Sequence, residues 1–241
     1  MSYFIIDEIV ELNQLFTVKG EEAIHLIKSR RVEKGDLIEV QDSAFNRFLV
    51  KVETVGKREL NVIPIQTIEP PLEPPVKINL CQALVKEKAM DYIIQKTTEL
   101  GVATIRIFHS AYSQTFKKDV PKQLSRWEKI SLEACKQSGR RKPPHIFFHP
   151  NLASLNKECH LSSENIPTVN MITSGQSQDL HSVSIKNSEL NLLIGPEGGW
   201  KEKELDPFNT IGVSMGPRIL RSDTAAIAAL SVLQYIFGDL K

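Results

Sequence analysis

Residues Leu192–Trp200 read LLIGPEGGW, three apolar residues followed by a Gly-Pro-Glu-Gly-Gly turn and an aromatic side chain. This pattern predicts a buried strand that ends in a tight glycine loop. In open α/β sheets, ligands bind beyond the carboxyl ends of the strands, and glycines there let a ligand touch the main chain. The carboxylate of Glu197 would repel a phosphate, and the spacing matches neither the P-loop nor the dinucleotide fingerprint. The loop therefore predicts either a site for a neutral or cationic ligand or a plain turn.

A second glycine loop follows the next apolar strand pattern, in the sequence SMGPRILRSDTA at Ser214–Ala225. It runs directly into an apolar helix, for which Ser222 is the predicted N-cap and Asp223 complements the helix dipole. Because loops from successive strands can face each other, we expect the two glycine loops to form opposite walls of one pocket. S-adenosylmethionine, with its sulfonium and its adenine, is a ligand of the predicted kind. Helix-end ion pairs are the alternative role for Arg218 and Arg221.

The composition excludes several classes of site. The chain has 241 residues, with 30 basic and 29 acidic side chains and a formal net charge of +1, so any nucleic-acid site must come from local clusters. The three cysteines are far apart and the six histidines are dispersed, which predicts neither a disulfide framework nor a metal site. An acidic N-terminal stretch without an apolar run of spanning length favours a cytoplasmic protein.

A proline-rich stretch at Glu69–Pro75 predicts an extended connector between two domains, residues 1–70 and 71–241. Upstream, short alternating strands and a helical pattern at Glu21–Arg30 predict a small β-rich domain, a barrel. Downstream, strand and helix patterns alternate, which predicts a mainly parallel sheet with helices on both faces. The final helix, Ser222–Phe237, carries almost no charge, so we expect it to be buried nearly all round, within the domain or at a subunit interface.

The two glycine loops resemble the signatures of the SPOUT superfamily of methyltransferases and, within it, of the ribosomal RNA small subunit methyltransferase E family. The matching segments are Ile194–Trp200 and Gly216–Ala225, in which Ser222 and Asp223 are conservative departures. Three further blocks are similar to that family over most of the chain: His25–Asp36, Gln95–Val102 and Glu133–Arg140.

The resemblance implies a PUA-like, RNA-binding β-barrel followed by a SPOUT-type α/β domain whose C-terminal end forms a trefoil knot, a rare exception to unknotted topology. It also implies S-adenosylmethionine as cofactor, a homodimer formed through the C-terminal domain, and methylation at N3 of a uridine in the decoding region of 16S rRNA in the small ribosomal subunit. A non-catalytic RNA-binding or ribosome-assembly protein that keeps the fold is the alternative.

Uridine N3 must lose an imide proton before it attacks a methyl group, so a cation has to stabilise the negative charge on O2 and O4. Arginine suits this task, because it stays charged and donates in a planar fork. Arg221 is the first candidate and Arg218 the second. Glu197 or water is the candidate base. The residues expected to contact the cofactor are Ile172, Thr173, Ile194, Gly195, Pro196, Glu197, Gly198, Gly199, Met215, Gly216, Ile219, Leu220 and Arg221.

N3 lies on the Watson-Crick edge, so the target base has to be unpaired or flipped out, and RNA binding becomes part of catalysis. Two basic runs, one on each predicted domain, are expected to contact RNA. They comprise Lys28, Arg30, Arg31, Lys136, Arg140, Arg141 and Lys142. The sequence departs from the family pattern at Ile107, where the family has proline, at Ala111–Ser113, where it has Glu-Arg-Ser, and at Ser2–Phe4, where an arginine is usual. These departures concern RNA contact rather than the cofactor loops.

Overall fold

The computed structural model describes residues 3–114, 119–161, 163, 165–173, 177–185 and 187–241. The chain forms two compact units, Met1–Leu72 with Cys135–Lys142 and Glu73–Ala134 with Pro143–Lys241. The segment Cys135–Lys142 thus differs from the predicted division, which placed it in the larger domain. The reason is that the side chains of Tyr3, Gln41 and Arg47 in the first unit donate hydrogen bonds to main-chain carbonyls of this segment.

The first unit is a curled, five-stranded mixed sheet with one helix. The strand order is β1-β3-β4-β5-β2; β1 runs parallel to β3 and the other pairs are antiparallel. In the long strand β4, the buried Val50 and Val52 alternate with the exposed Lys51 and the half-buried Glu53, which explains why the sequence pattern identified it. The elements are β1 (Phe4–Ile5), β2 (Phe16–Val18), α1 (Gly20–Lys28), β3 (Leu37–Gln41), β4 (Arg47–Val55) and β5 (Leu60–Ile68).

The second unit is a parallel seven-stranded sheet in the order β10-β12-β9-β11-β6-β7-β8. The predicted α/β class is therefore confirmed. Its strands are β6 (Lys77–Ala83), β7 (Thr104–Phe108), β8 (His145–His149), β9 (Thr168–Met171), β10 (Gln178–Asp179), β11 (Glu189–Ile194) and β12 (Thr210–Ser214). Its helices are α2 (Glu87–Glu99), α3 (Val120–Ser138), α4 (Leu152–Cys159) and α5 (Ser222–Phe237), with a 3₁₀ turn at Leu180–Ser182. The residues of α3 from Cys135 onward belong to the first unit.

Strand β11 lies near the middle of this sheet, between β9 and β6, and its residues from Leu190 to Ile194 are buried. A continuous apolar run is what a strand covered on both faces requires. Because all the strands are parallel, the segments that follow β9, β11 and β12 leave the sheet at the same edge. Both glycine loops predicted from the sequence lie at this edge.

Helix α5 returns from β12 to pack on α2, β6, β11 and the 3₁₀ turn. Its inner face is fully buried at Ala226, Ala229 and Leu233. On the opposite face Val232 is half-buried and Tyr235 is 66% exposed, so this face is not covered within the chain, and a subunit interface is the remaining predicted way of burying it. Of the helices in the described ranges, none has the length and apolar character that crossing a bilayer demands.

Candidate active site

A cavity of about 360 Å³ lies at the carboxyl edge of the sheet, between the segments that follow β9, β11 and β12. The β11 loop contributes Gly195 and Gly199, the β12 loop contributes Gly216, and Ile172 comes from the end of β9. The two glycine loops thus line one pocket, as the sequence predicts, and β9 supplies a third wall.

The cavity walls combine main-chain groups with apolar side chains such as Ile194, Met215 and Leu220. Arg218, which is exposed, is the one charged side chain among the described residues that line it. The volume of this cavity lies at the lower end of the range typical of small-molecule sites, roughly 300–1,000 Å³. Such walls suit a ligand with a flat apolar part and no phosphate.

Trp200 fixes the shape of the β11 loop. Its indole stacks on the Phe108 ring with 6.2 Å between centroids and 5° between planes. A Cβ added to Gly195 would stand 2.9 Å from the Trp200 ring, closer than side chains tolerate. Glycine is therefore required at position 195 for space. At Gly199 and Gly216 the requirement is conformational, because φ is +74° and +78°.

A buried hydrogen-bond relay joins the two loops to the sheet. Ser222 Oγ donates to the Gly195 carbonyl at 2.7 Å and accepts from Gln82 Nε2, at the end of β6, at 2.9 Å. The predicted role of Ser222 as N-cap is wrong: Arg221 occupies the N-cap position, without a side-chain cap, and Ser222 is the first helical residue. Its hydroxyl stabilises the approach of the two loops rather than the helix end.

A second cavity, of about 650 Å³, adjoins the first. It shares five lining residues with the first cavity: Thr173, Pro196, Gly199, Ile219 and Leu220. Its other described lining residues are Lys86, Glu197, Gly198 and Arg221. The first cavity is nearly uncharged, whereas this one brings three charged side chains together.

Arg221 is held by two carboxylates in this structure. Its Nη2 lies 3.1 Å from Glu197 Oε1, and its Nε lies 3.7 Å from Asp223 Oδ1. The Arg221 side chain is 69% exposed, and exposed ion pairs contribute only about 0–1 kcal/mol. The guanidinium can therefore exchange Glu197 for another acceptor at little cost.

The expected cofactor residues fall into the two cavities. All of them line the first cavity except Glu197, Gly198 and Arg221, which line the second. Because the two cavities adjoin and share five lining residues, contact of these three with the cofactor stays a prediction. The lining residues outside the set of predicted site residues are Met171, Trp200, Ser214, Pro217, Ser222 and Ala225 in the first cavity and Lys86 in the second. The position of Lys86 directly after the predicted strand β6 was the available signal, since β6 ends at the same edge of the sheet.

The basic residues expected to contact RNA all belong to the first unit. Those that are exposed are Lys28, Arg30, Arg31, Arg141 and Lys142, while Arg140 is half-buried. The prediction for Lys136 is wrong, because the side chain is 8% exposed and its Nζ lies 2.7 Å from Glu22 Oε1. An ammonium group that is buried and paired in this way is not available to a phosphate.

Arg47, itself buried, fixes the main chain of the basic loop 139–142. Its Nη1 donates to the Gly139 carbonyl at 3.1 Å, and its Nη2 donates to the Arg140 carbonyl at 3.0 Å. The Tyr3 hydroxyl donates to the same Arg140 carbonyl at 2.9 Å, and burial raises the pKa of Tyr3 to about 12. Gln41 completes the set by donating to the Arg141 carbonyl at 3.1 Å.

The departures from the family pattern have different structural roles. Ile107 is fully buried in β7, where it is paired with β6 and β8, so that departure concerns core packing. Tyr112 is 54% exposed and stands beside Gly198, where an added Cβ would lie 3.1 Å from Tyr112 Cβ. Tyr3 is a buried anchor of the basic loop, whereas Ser2 lies outside the described residues.

A parallel α/β sheet with a nearly uncharged cavity between glycine loops, beside a cavity with three charged side chains, is the arrangement that the resemblance to the SPOUT methyltransferases implies. A family model described as "RNA methyltransferase domain" matches residues 72–234. The chain is 32% identical over 226 residues to "Ribosomal RNA small subunit methyltransferase E" of Mesomycoplasma hyopneumoniae, which covers 92% of this chain and 95% of the relative. It is 29% identical over 241 residues to the protein of that name in Buchnera aphidicola from Acyrthosiphon pisum, with 98% and 94% covered. The chain belongs to the ribosomal RNA small subunit methyltransferase E family.

Two solved structures share the whole fold. A putative methyltransferase from Legionella pneumophila, in complex with the bound cofactor SAM, is 30% identical, with a TM-score of 0.86 and coverage of 99% of this chain and 98% of that one. A ribosomal RNA small subunit methyltransferase E from Neisseria gonorrhoeae, bound to S-adenosyl methionine, has a TM-score of 0.86 at 24% identity and full coverage of both chains. The resemblance that the sequence motifs indicated is therefore confirmed.

Proposed function

We propose that this chain transfers a methyl group from S-adenosylmethionine to N3 of a uridine in the decoding region of 16S rRNA. The observation that carries the proposal is the pair of adjoining cavities at one sheet edge, one nearly uncharged and one with three charged side chains. Membership of the ribosomal RNA methyltransferase family and the SAM-bound Legionella relative support the choice of cofactor and of RNA as substrate.

The first cavity fits S-adenosylmethionine by its chemistry. Main-chain groups of the glycine loops can bind the polar edge of adenine, while Ile194, Met215 and Leu220 offer apolar faces to the ring. The glycine required at position 195 keeps the loop against Trp200 and leaves the space open.

When bound, S-adenosylmethionine supplies an electrophilic methyl group: uridine N3 releases its proton to water or a base, the nitrogen electron pair forms the new N–C bond, and the electron pair of the broken S–C bond stays on sulfur. Arg221 then has the task of binding a uracil oxygen as negative charge develops. Its exposed ion pair with Glu197 keeps the guanidinium at the second cavity until the base enters. Glu197, once released, is one candidate acceptor of the imide proton, and water is the other.

The first unit serves RNA binding in this proposal. Its exposed basic side chains can neutralise phosphates, which positions the RNA without reading sequence.

The half-exposed face of α5, with Tyr235 at 66% exposure, is the surface on which we place the homodimer contact. A substrate in the small ribosomal subunit places the activity in the cytoplasm.

The first test is calorimetry of the purified protein with S-adenosylmethionine, followed by transfer of labelled methyl to small ribosomal subunits and to naked 16S rRNA. Mass spectrometry of the digested RNA should identify N3-methyluridine. Cofactor binding without transfer to either substrate would instead favour the ribosome-assembly protein, and a methyl group on another atom would refute the assigned position.

The second test is the variant Arg221→Ala. Loss of a single transition-state donor typically lowers turnover by about 10²–10³-fold. We expect a turnover loss of that order with cofactor affinity within about twofold of wild type. Equal losses in turnover and in cofactor affinity would move Arg221 from the substrate cavity to the cofactor cavity.

A further inference from the structure

We infer that Lys86 is a second catalytic cation, which stabilises the negative charge on a uracil oxygen when N3 loses its proton. This inference rests on the function proposed above and adds a residue to it. Lys86 is separated from the glycine loops by more than a hundred positions in the sequence, and the fold alone brings it to the second cavity.

The position of Lys86 follows from the sheet order. Strand β6 neighbours β11 directly and runs parallel to it, so the chain leaves both strands at the same edge. Lys86 lies three residues beyond the end of β6, as the residue that precedes α2, and its side chain is exposed. It lines the second cavity together with Glu197 and Arg221.

The charges of this cavity are unequally paired. Arg221 is matched by Glu197 at 3.1 Å and approached by Asp223 at 3.7 Å. By contrast, no carboxylate of the described residues lies within ion-pair distance of the Lys86 ammonium. The positive charge left over in the cavity is therefore that of Lys86, and the complementary ligand is a group that is negative or becomes negative.

The reaction produces such a group. Loss of the N3 proton leaves a charge that is shared by the uracil O2, O4 and N3 atoms, and two carbonyl oxygens flank the reacting nitrogen. One guanidinium fork cannot serve both oxygens, because they lie on opposite sides of the reacting nitrogen. An ammonium near the second oxygen would lower the pKa of the imide, because an opposite charge favours the ionised form. A phosphate of the RNA backbone is the other anion that would suit an ammonium, and the test below separates the two.

The test compares Lys86→Gln and Lys86→Arg with Lys88→Gln, a matched control. Lys88 is the second residue of α2, is exposed and does not line the cavity. Single-turnover methyl transfer is measured against pH on whichever substrate the wild type methylates. We expect Lys86→Gln to lower the rate by about 10²-fold and to move the pH dependence to higher pH. Cofactor affinity should stay unchanged, Lys86→Arg should recover much of the rate, and Lys88→Gln should match wild type.

The decisive arm uses RNA in which 5-fluorouridine replaces uridine. Fluorine makes the N3 proton more acidic, so the rate gap between wild type and Lys86→Gln should shrink by about tenfold or more. An equal rate gap between wild type and Lys86→Gln on both RNAs would overturn the inference. A second refuting result would be that Lys86→Gln lowers RNA affinity and makes RNA binding less dependent on salt, as expected when a phosphate contact is lost. Absence of transfer by the wild type would refute the proposed function itself, and is thus distinguishable from failure of this inference.

Discussion

The substitution Ser222→Ala tests whether the relay from Gln82 through Ser222 to Gly195 holds the two glycine loops together. The change removes one hydroxyl and leaves the helix propensity of the first turn intact. Ser222 is 7% exposed and Gln82 is fully buried, so water replaces the lost partner poorly. Both loops are expected to loosen at the point where they form the walls of the first cavity.

The magnitude follows from the groups left without a partner. The Gly195 carbonyl loses the 2.7 Å hydrogen bond from Ser222, and Gln82 Nε2 loses its 2.9 Å acceptor but keeps the Ala83 carbonyl at 2.8 Å. An unsatisfied buried group costs about 1–3 kcal/mol. Since Gln82 keeps one partner and Gly195 is half-buried, we expect the free energy of unfolding to fall by about 2 kcal/mol.

Urea unfolding and calorimetry with S-adenosylmethionine measure the two consequences. Cofactor affinity should fall by about tenfold, roughly the equivalent of 1.4 kcal/mol. The control Ser222→Thr keeps the hydroxyl and should lose less than about 0.5 kcal/mol of stability. The double variant with Gln82→Ala should lose clearly less than the sum of the single losses, since the two side chains share one hydrogen bond. Strict additivity, or wild-type cofactor affinity in Ser222→Ala, would refute the reasoning.

Three further substitutions address other parts of the molecule. Gly195→Ala should destabilise the fold by about 1–3 kcal/mol and weaken cofactor binding, because its methyl group collides with Trp200; unfolding and calorimetry measure both. Arg47→Ala should release the basic loop and lower RNA affinity by about tenfold in a filter-binding assay. Calorimetry should show unchanged cofactor affinity in the same variant. Burial lowers the pKa of His149 below its usual value of 6.5. The neutral imidazole therefore contributes to the free energy of unfolding above pH 6.5, and this contribution is lost as the pH falls through the lowered pKa. His149→Phe should flatten this pH dependence in urea unfolding.

The sequence by itself determined most of the strands and helices and the position of both glycine loops. The continuous apolar run of β11 and the long, nearly uncharged apolar stretch of α5 are local signals, and each indicates the type of structure without knowledge of its neighbours. The glycine loop after β11 could be identified for the same reason, since its turn is encoded in consecutive residues. Strands β1 and β10, of two residues each, were too short for any periodicity to reveal them.

Only the tertiary structure decided which charges are available and which residues share a cavity. Lys136 and Lys142 look alike in the sequence, yet Lys136 is paired with Glu22 while Lys142 is exposed beside the Phe45 ring. Lys86 enters the second cavity because β6 and β11 are neighbours, and Ser222 bonds Gly195 because the two loops meet. Burial and ion pairing depend on contacts between residues far apart in the chain, and hydrophobic periodicity carries no information about them.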